Sequence, residues 1–201
     1  MKEIKFAVTS NKNDNRKMII QAKSWAEELQ VPYAPRYENG SLDAMLEDFQ
    51  LDALLIASKK GPQIYTKEGM LFYHPGLGKV RWQRVMQRHE NDNFLTALNV
   101  RPGQRVLDCT VGLAADALLA SCAVGEAGKV VGLEASLPLW FLTSRGFRLT
   151  GEPFRNLPGI CSGWKSSMGK HPLICGPCRK TVLTRYILIP CSASPYDVLR
   201  K

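Results

Sequence analysis

A chain of 201 residues, 45% apolar and with a formal charge of +9 at pH 7, is long enough for one ordinary domain with its own core. No apolar run approaches the roughly 20 residues of a membrane span. The N-terminal MKEIKFAVTSNKNDNRK has no signal-peptide apolar region, so a cytoplasmic location and no membrane partner are expected. The charge is uneven: residues 1–136 hold 17 of the 27 Lys and Arg and 16 of the 18 Asp and Glu, which leaves +8 on residues 137–201. Those last residues also hold four of the six cysteines and seven of the twelve prolines, unlike a low-complexity basic arm.

In chain order, KEIKFAVTS reads as a strand with Ile4, Phe6 and Val8 on one face. RKMIIQAKSWAEEL reads as a helix with Ile19, Ile20, Ala22, Trp25, Ala26 and Leu29 on one face, and Pro32 ends it. LDALLIAS is a short buried strand, and GPQIYTKEGMLFYHPG a hairpin turning at Lys67–Gly69. Residues 1–75 therefore form a small α/β unit. Residues 76–99 form a basic connector, GLGKVRWQRVMQRHEND, read as a solvated linker or helix face, followed by a helix NFLTALNV with Asp92 as its N-cap. From residue 100 to 136 the pattern is strand, turn, helix, strand: RVLDCTV, Gly112, ADALLASCAV, KVVGLEAS.

That β–α–β unit has the parts of a nucleotide site at the carboxyl ends of parallel strands. A glycine after the first strand lets backbone approach a ligand, and the next helix offers free N–H groups. An acidic residue ending the second strand accepts from ribose hydroxyls. The residues are Asp108, Gly112, Asp116 and Glu134. The glycines do not form G-x-G-x-x-G, so an adenosine cofactor without phosphates, such as S-adenosylmethionine, fits better than a pyrophosphate. Asp108 or Asp116 then meets its ammonium or orders the loop. The alternative from spacing alone is a ligand-free β–α–β with Asp108 as a strand-end cap.

VLDCTVGLAADALLAS resembles motif I of class I methyltransferases. More narrowly, it resembles the D-x-T-x-G-L-x-x-D-A segment of the 16S ribosomal RNA (guanine-N2) methyltransferase J family and its uncharacterised relatives. The resemblance covers about residues 1–136. It implies an α/β, Rossmann-like class I methyltransferase fold, incomplete here and preceded by the small N-terminal unit. It also implies that the pairs Ala115–Asp116 and Glu134–Ala135 contact S-adenosylmethionine and that the partner is small-subunit ribosomal RNA. YHPGLGKVRWQRV resembles the family's segment before motif I, which points to Arg81, Arg84 and Arg88 as lining an RNA or cofactor entrance. The family continues to an Asp-Pro-Met-Phe-like motif that holds the target base. No such motif occurs in this chain, so its catalytic residues are unassigned and its activity is expected to be impaired.

After Ser136 the expected patterning stops. PFRNLPGICSGWKSSMGKHPLICGPCRKTV shows neither helix nor strand periodicity. A slipped reading frame accounts for this. Reading each third base with the first two of the next codon turns Trp164–Lys165 into Glu and Met168–Gly169 into Gly, without ambiguity. Over residues 180–192 the same offset permits D-S-F-D-A-V-Y-F-D-P-M-F, which contains the missing motif. One slip near Ser136–Pro138 would supply both segments, leaving 137–201 an out-of-frame, poorly ordered tail. CGPC at Cys175–Cys178 is then an accident of translation, and the tail's charge says nothing about RNA. As a thioredoxin-type dithiol it lacks the strand before and helix after. As a zinc site it lacks a second C-x-x-C, so no metal is expected. Two readings stand beside the methyltransferase: a non-catalytic S-adenosylmethionine-binding remnant, and a cysteine-based redox or zinc protein.

Overall fold

The computed structural model describes residues 4–11, 16–36, 40–74, 76–132, 134–149 and 185–187. Within these residues the chain is α/β, with seven strands in two sheets and six α-helices. It divides into two compact units, Met1–Tyr73 with Ser136–Leu149, and His74–Ala135 with Thr150–Lys201.

The first unit is built on a mixed four-stranded sheet in the order β1-β2-β3-β4. Strand β1 (Phe6–Ser10) and β2 (Ala53–Ser58) are parallel and buried along their whole length, which requires cover on both faces. Strands β3 (Gly61–Thr66) and β4 (Gly69–Phe72) form the expected hairpin, antiparallel to β2 and to each other. Helix α1 (Arg16–Leu29) buries Met18, Ala22, Trp25, Ala26 and Leu29, the i, i+4, i+7, i+8 stripe of an amphipathic helix. Ile20, read from the sequence as part of that stripe, is 58% exposed; two residues from Met18, it turns to the opposite side. Helix α2 (Leu42–Asp48), not expected from the sequence, is capped by Ser41, whose hydroxyl accepts from the Ala44 N–H at 3.0 Å. Its Met45 and Leu46 share a core with Ala7, Ala34, Leu54 and Ile56.

Helix α6 (Leu137–Leu149) also belongs to this unit and corrects the expectation that patterning ends at Ser136. The signals were local. Ser136 caps the first turn, its hydroxyl accepting from Leu139 N–H, and Pro138 sits in that turn. Phe141, Leu142 and Thr143 are fully buried. Phe141 meets Trp25 edge to face at 5.0 Å, and Arg145 pairs with Glu28. Helix α6 packs on β3, and Gly146 is where its backbone meets the Tyr73 ring.

The second unit carries a parallel sheet in the order β6-β5-β7, from β5 (Arg105–Asp108), β6 (Lys129–Gly132) and β7 (Arg185–Ile187). The stretch expected as a connector is helical: α3 (Gly76–Trp82) runs into a π-helical turn at Gln83–Gln87. Helix α4 (Asn93–Leu98) follows, with Asp92 as its N-cap as the sequence predicts. Helix α5 (Ala115–Val124) connects β5 to β6. Val106, Val111, Ala114, Ala117, Ala120, Val124 and Val130 form the core, with Phe94 and Val100 packed against it. The tail's cysteines and CGPC lie outside the described residues, as does the rest of the segment after Leu149 apart from β7.

Candidate functional site

The turn between β5 and α5 is shaped by carboxylates and left-handed backbone. Asp108 ends β5 buried, and its Oδ1 accepts from the Thr110 N–H at 3.0 Å, which starts the turn. Gly112 then takes φ +51°. Ala114, immediately before α5, takes φ +64° although it carries a Cβ, a conformation that costs about 1–2 kcal/mol and clusters at functional sites. Its side chain is buried in the core, which holds it there.

Beyond β6, the Glu134 carboxylate accepts from the Gly112 N–H at 3.1 Å. Strand β6 ends in Gly132 because Val111 of the turn crosses it: a Cβ there would lie 2.7 Å from Val111 Cγ2. Asp108, Gly112, Asp116 and Glu134 thus gather at the carboxyl ends of β5 and β6. Ala115 opens α5 beside Asp116, and Ala135 is an exposed bend after Glu134. Burial pushes the Asp108 carboxyl upward; the Thr110 N–H opposes this, while the charges of Asp116 and Glu134 add to it. Such a site repels phosphate. It suits hydroxyl donors, which carboxylates accept, and a cationic group.

Arg81, Arg84 and Arg88 are all engaged by carboxylates of the same unit. Arg81 Nε and Nη2 donate to Asp92 Oδ2 and Oδ1 at 2.9 Å each, and its Nη1 to Asp116 Oδ1 at 2.6 Å. Arg84 pairs with Glu90 at 2.6 Å, and Arg88 approaches the same carboxylate at 3.9 Å. Arg81 and Arg84 line a polar cleft of about 260 Å³ with Asn91, Asp92 and Asn93. The second role of Asp92, as the partner of Arg81, is invisible in the sequence, where it reads only as a cap. Cys109 and Cys122 are not activated nucleophiles: burial pushes both thiols up, Cys122 to about 11. Among the described residues no group of three His, Cys, Asp or Glu side chains is placed to hold a metal ion. No helix among them is long and apolar enough to cross a membrane.

No protein-family model matches the chain. It is similar to the uncharacterized protein YpiP of Bacillus subtilis (strain 168), with 37% identity over 128 residues, which are 63% of this chain and 49% of that protein. The chain thus spans about half the length of the curated relative it matches. Among solved structures it is similar to a SAM-dependent methyltransferase from Neisseria gonorrhoeae. The TM-score is 0.45 and the identity 14%, covering 71% of this chain and 51% of that one.

Proposed function

We propose that residues 100–136 are the cofactor half of a Rossmann-like, S-adenosylmethionine-dependent methyltransferase domain. The observation that carries this is the Glu134 carboxylate on the Gly112 N–H, across the carboxyl ends of two parallel strands. It sets an acceptor where a ribose would lie, beside a left-handed turn that opens a helix. The contacts assigned to S-adenosylmethionine are Asp108, Gly112, Ala115, Asp116, Glu134 and Ala135. Asp108 and Asp116 face the cationic amino-acid end.

The proposed substrate is an exocyclic amino group of guanine in small-subunit ribosomal RNA. Transfer to such a nitrogen rests on positioning and electrostatics. Residues 137–201 as translated contain no D-P-M-F, so little transfer is expected from this chain.

We also propose a frame slip; the helix α6, which runs to Leu149, supports putting it after that residue rather than near Ser136–Pro138. In the shifted frame, A-V-Y-F-D falls on residues 184–188, over β7, which pairs with β5 on the side away from β6. Asp108 is in register with Ile187, so the shifted D-P-M-F would begin just past the carboxyl end of β5. That is where a target base would meet the cofactor's methyl group.

Calorimetric titration of the full chain with S-adenosylmethionine tests the cofactor reading. Saturable binding, weakened about tenfold by Glu134→Gln, is expected, tenfold being about 1.4 kcal/mol. No heat at millimolar ligand, or equal binding by the variant, would sink it. Sequencing the coding DNA from codon 130 onward tests the slip; a shifted frame closed by stop codons before D-P-M-F removes that proposal.

A further inference from the structure

Three helices meet at one guanidinium. Arg81 stands on α3, Asp92 caps α4, and Asp116 lies in the first turn of α5. Asp92 is held from behind: its Oδ1 also accepts from Phe94 N–H at 3.0 Å and Leu95 N–H at 3.3 Å. Its carboxylate cannot turn without uncapping α4. Because it grips Arg81 by both Nε and Nη2, the plane of the guanidinium is fixed, and Nη1 has one direction left to point. That direction is Asp116 Oδ1. The Phe94 ring, 5.7 Å from the guanidinium carbon, closes one side. The arginine side chain is only 25% exposed. The helices are close because Gly78 has no side chain; a Cβ there would stand 3.2 Å from the Ala115 Cα and 3.3 Å from Leu118 Cδ2.

The family resemblance pointed to Arg81 as lining an RNA or cofactor entrance. To reach a phosphate it would have to give up three charge-assisted hydrogen bonds inside the unit. We propose instead that Arg81 is a positioning residue: it holds Asp116 by Oδ1 and so aims that carboxylate at the amino-acid end of S-adenosylmethionine. Asp92 is the anchor for this clamp. The inference rests on the cofactor reading above and deepens it, because it assigns how one of the proposed contacts is oriented.

The test uses two ligands on the full chain. S-adenosylmethionine carries the amino-acid end; 5′-methylthioadenosine carries the adenosine and lacks it. Calorimetry is run on the native protein, Arg81→Gln, Arg81→Lys and Asp92→Asn, with hydrogen exchange of α5 as the check on folding. Arg81→Gln is expected to weaken S-adenosylmethionine about tenfold and to leave methylthioadenosine within about twofold. Arg81→Lys should restore part of the loss. Asp92→Asn, which leaves the arginine but loosens its anchor, should give a smaller loss with the same selectivity, and it decides the matter if Arg81→Gln does not fold. Equal weakening of both ligands would overturn the proposal, since Arg81 would then only hold the fold. So would unchanged affinity for S-adenosylmethionine. A native protein that binds neither ligand would instead overturn the cofactor reading, and this inference with it.

Discussion

Replacing Asp92 separates the two jobs its carboxylate performs. It caps α4 and grips Arg81, and Asp92→Ala removes both. Loss of an Asp cap costs about 1 kcal/mol. The side chains of the ion pair are 25% and 11% exposed, so the pair is neither a screened surface pair nor a fully buried one. Arg81 keeps Asp116, so no orphaned charge is left, and losing the two bonds to Asp92 costs about 1–2 kcal/mol more. The total is about 2–3 kcal/mol. Asp92→Asn keeps an oxygen for the cap and for the Nη2 bond but loses the charge and the Nε bond, about 1 kcal/mol. The chain has two units, so a global melt would mix them; hydrogen exchange at the amides of 93–98 reads α4 directly. Asp92→Ala should speed exchange there roughly 30- to 150-fold at about 1.4 kcal/mol per decade, and Asp92→Asn only several-fold. The pH dependence has a definite sign. Chiefly the Arg81 hydrogen bond, and then the α4 amides and the arginine charge, hold the Asp92 carboxyl below its ordinary value, while burial opposes them. The stability it supplies is complete above the unfolded value near roughly pH 4 and is lost as pH falls through the lower folded value. The difference between native protein and Asp92→Ala should therefore shrink only below about pH 4. Equal exchange in all three proteins, or a difference that fades near neutral pH, would refute the reasoning.

Other substitutions probe the rest of the structure. Thr9 lies fully buried in β1, and its Oγ1 has no hydrogen-bond partner among the described residues. Thr9→Val is thus expected to slow amide exchange in β1 about fivefold, about 1 kcal/mol, and faster exchange would show a partner for that hydroxyl. Gly132→Ala forces Val111 aside and should cost about 1–3 kcal/mol. The same change in a Val111→Ala background should cost much less, and a double-mutant cycle measures the difference. With its thiol pushed to about 11, Cys122 should be alkylated near pH 7.5 roughly 100-fold more slowly than a free cysteine, read by peptide mass spectrometry.

Periodicity made most of the elements legible. Strands β1 and β2, the β3–β4 hairpin, α1, α4 and the β5–α5–β6 unit all announce themselves through apolar spacing, glycine turns or caps. Helix α2 was missed because seven residues make under two turns, too short for a period to declare itself, although Ser41 marked its start. Helix α6 was missed because the abrupt change in charge and cysteine content drew the boundary at Ser136. Its own Ser136 cap and early Pro138 said otherwise.

What the sequence by itself determined was local: where strands and helices begin, and that Asp108, Gly112, Asp116 and Glu134 share one β–α–β unit. Spacing along the chain sets those features, because the parallel pairing of β5 and β6 brings their carboxyl ends together. What only the tertiary structure decided was the partnership of charges. Arg81 finds one carboxylate 11 residues away and another 35 away, and both bonds depend on how α3, α4 and α5 stack. No local pattern encodes that meeting. Arg81, part of a basic run that reads as a solvated face or a binding stripe, becomes an internal clamp once its helix lies against two others.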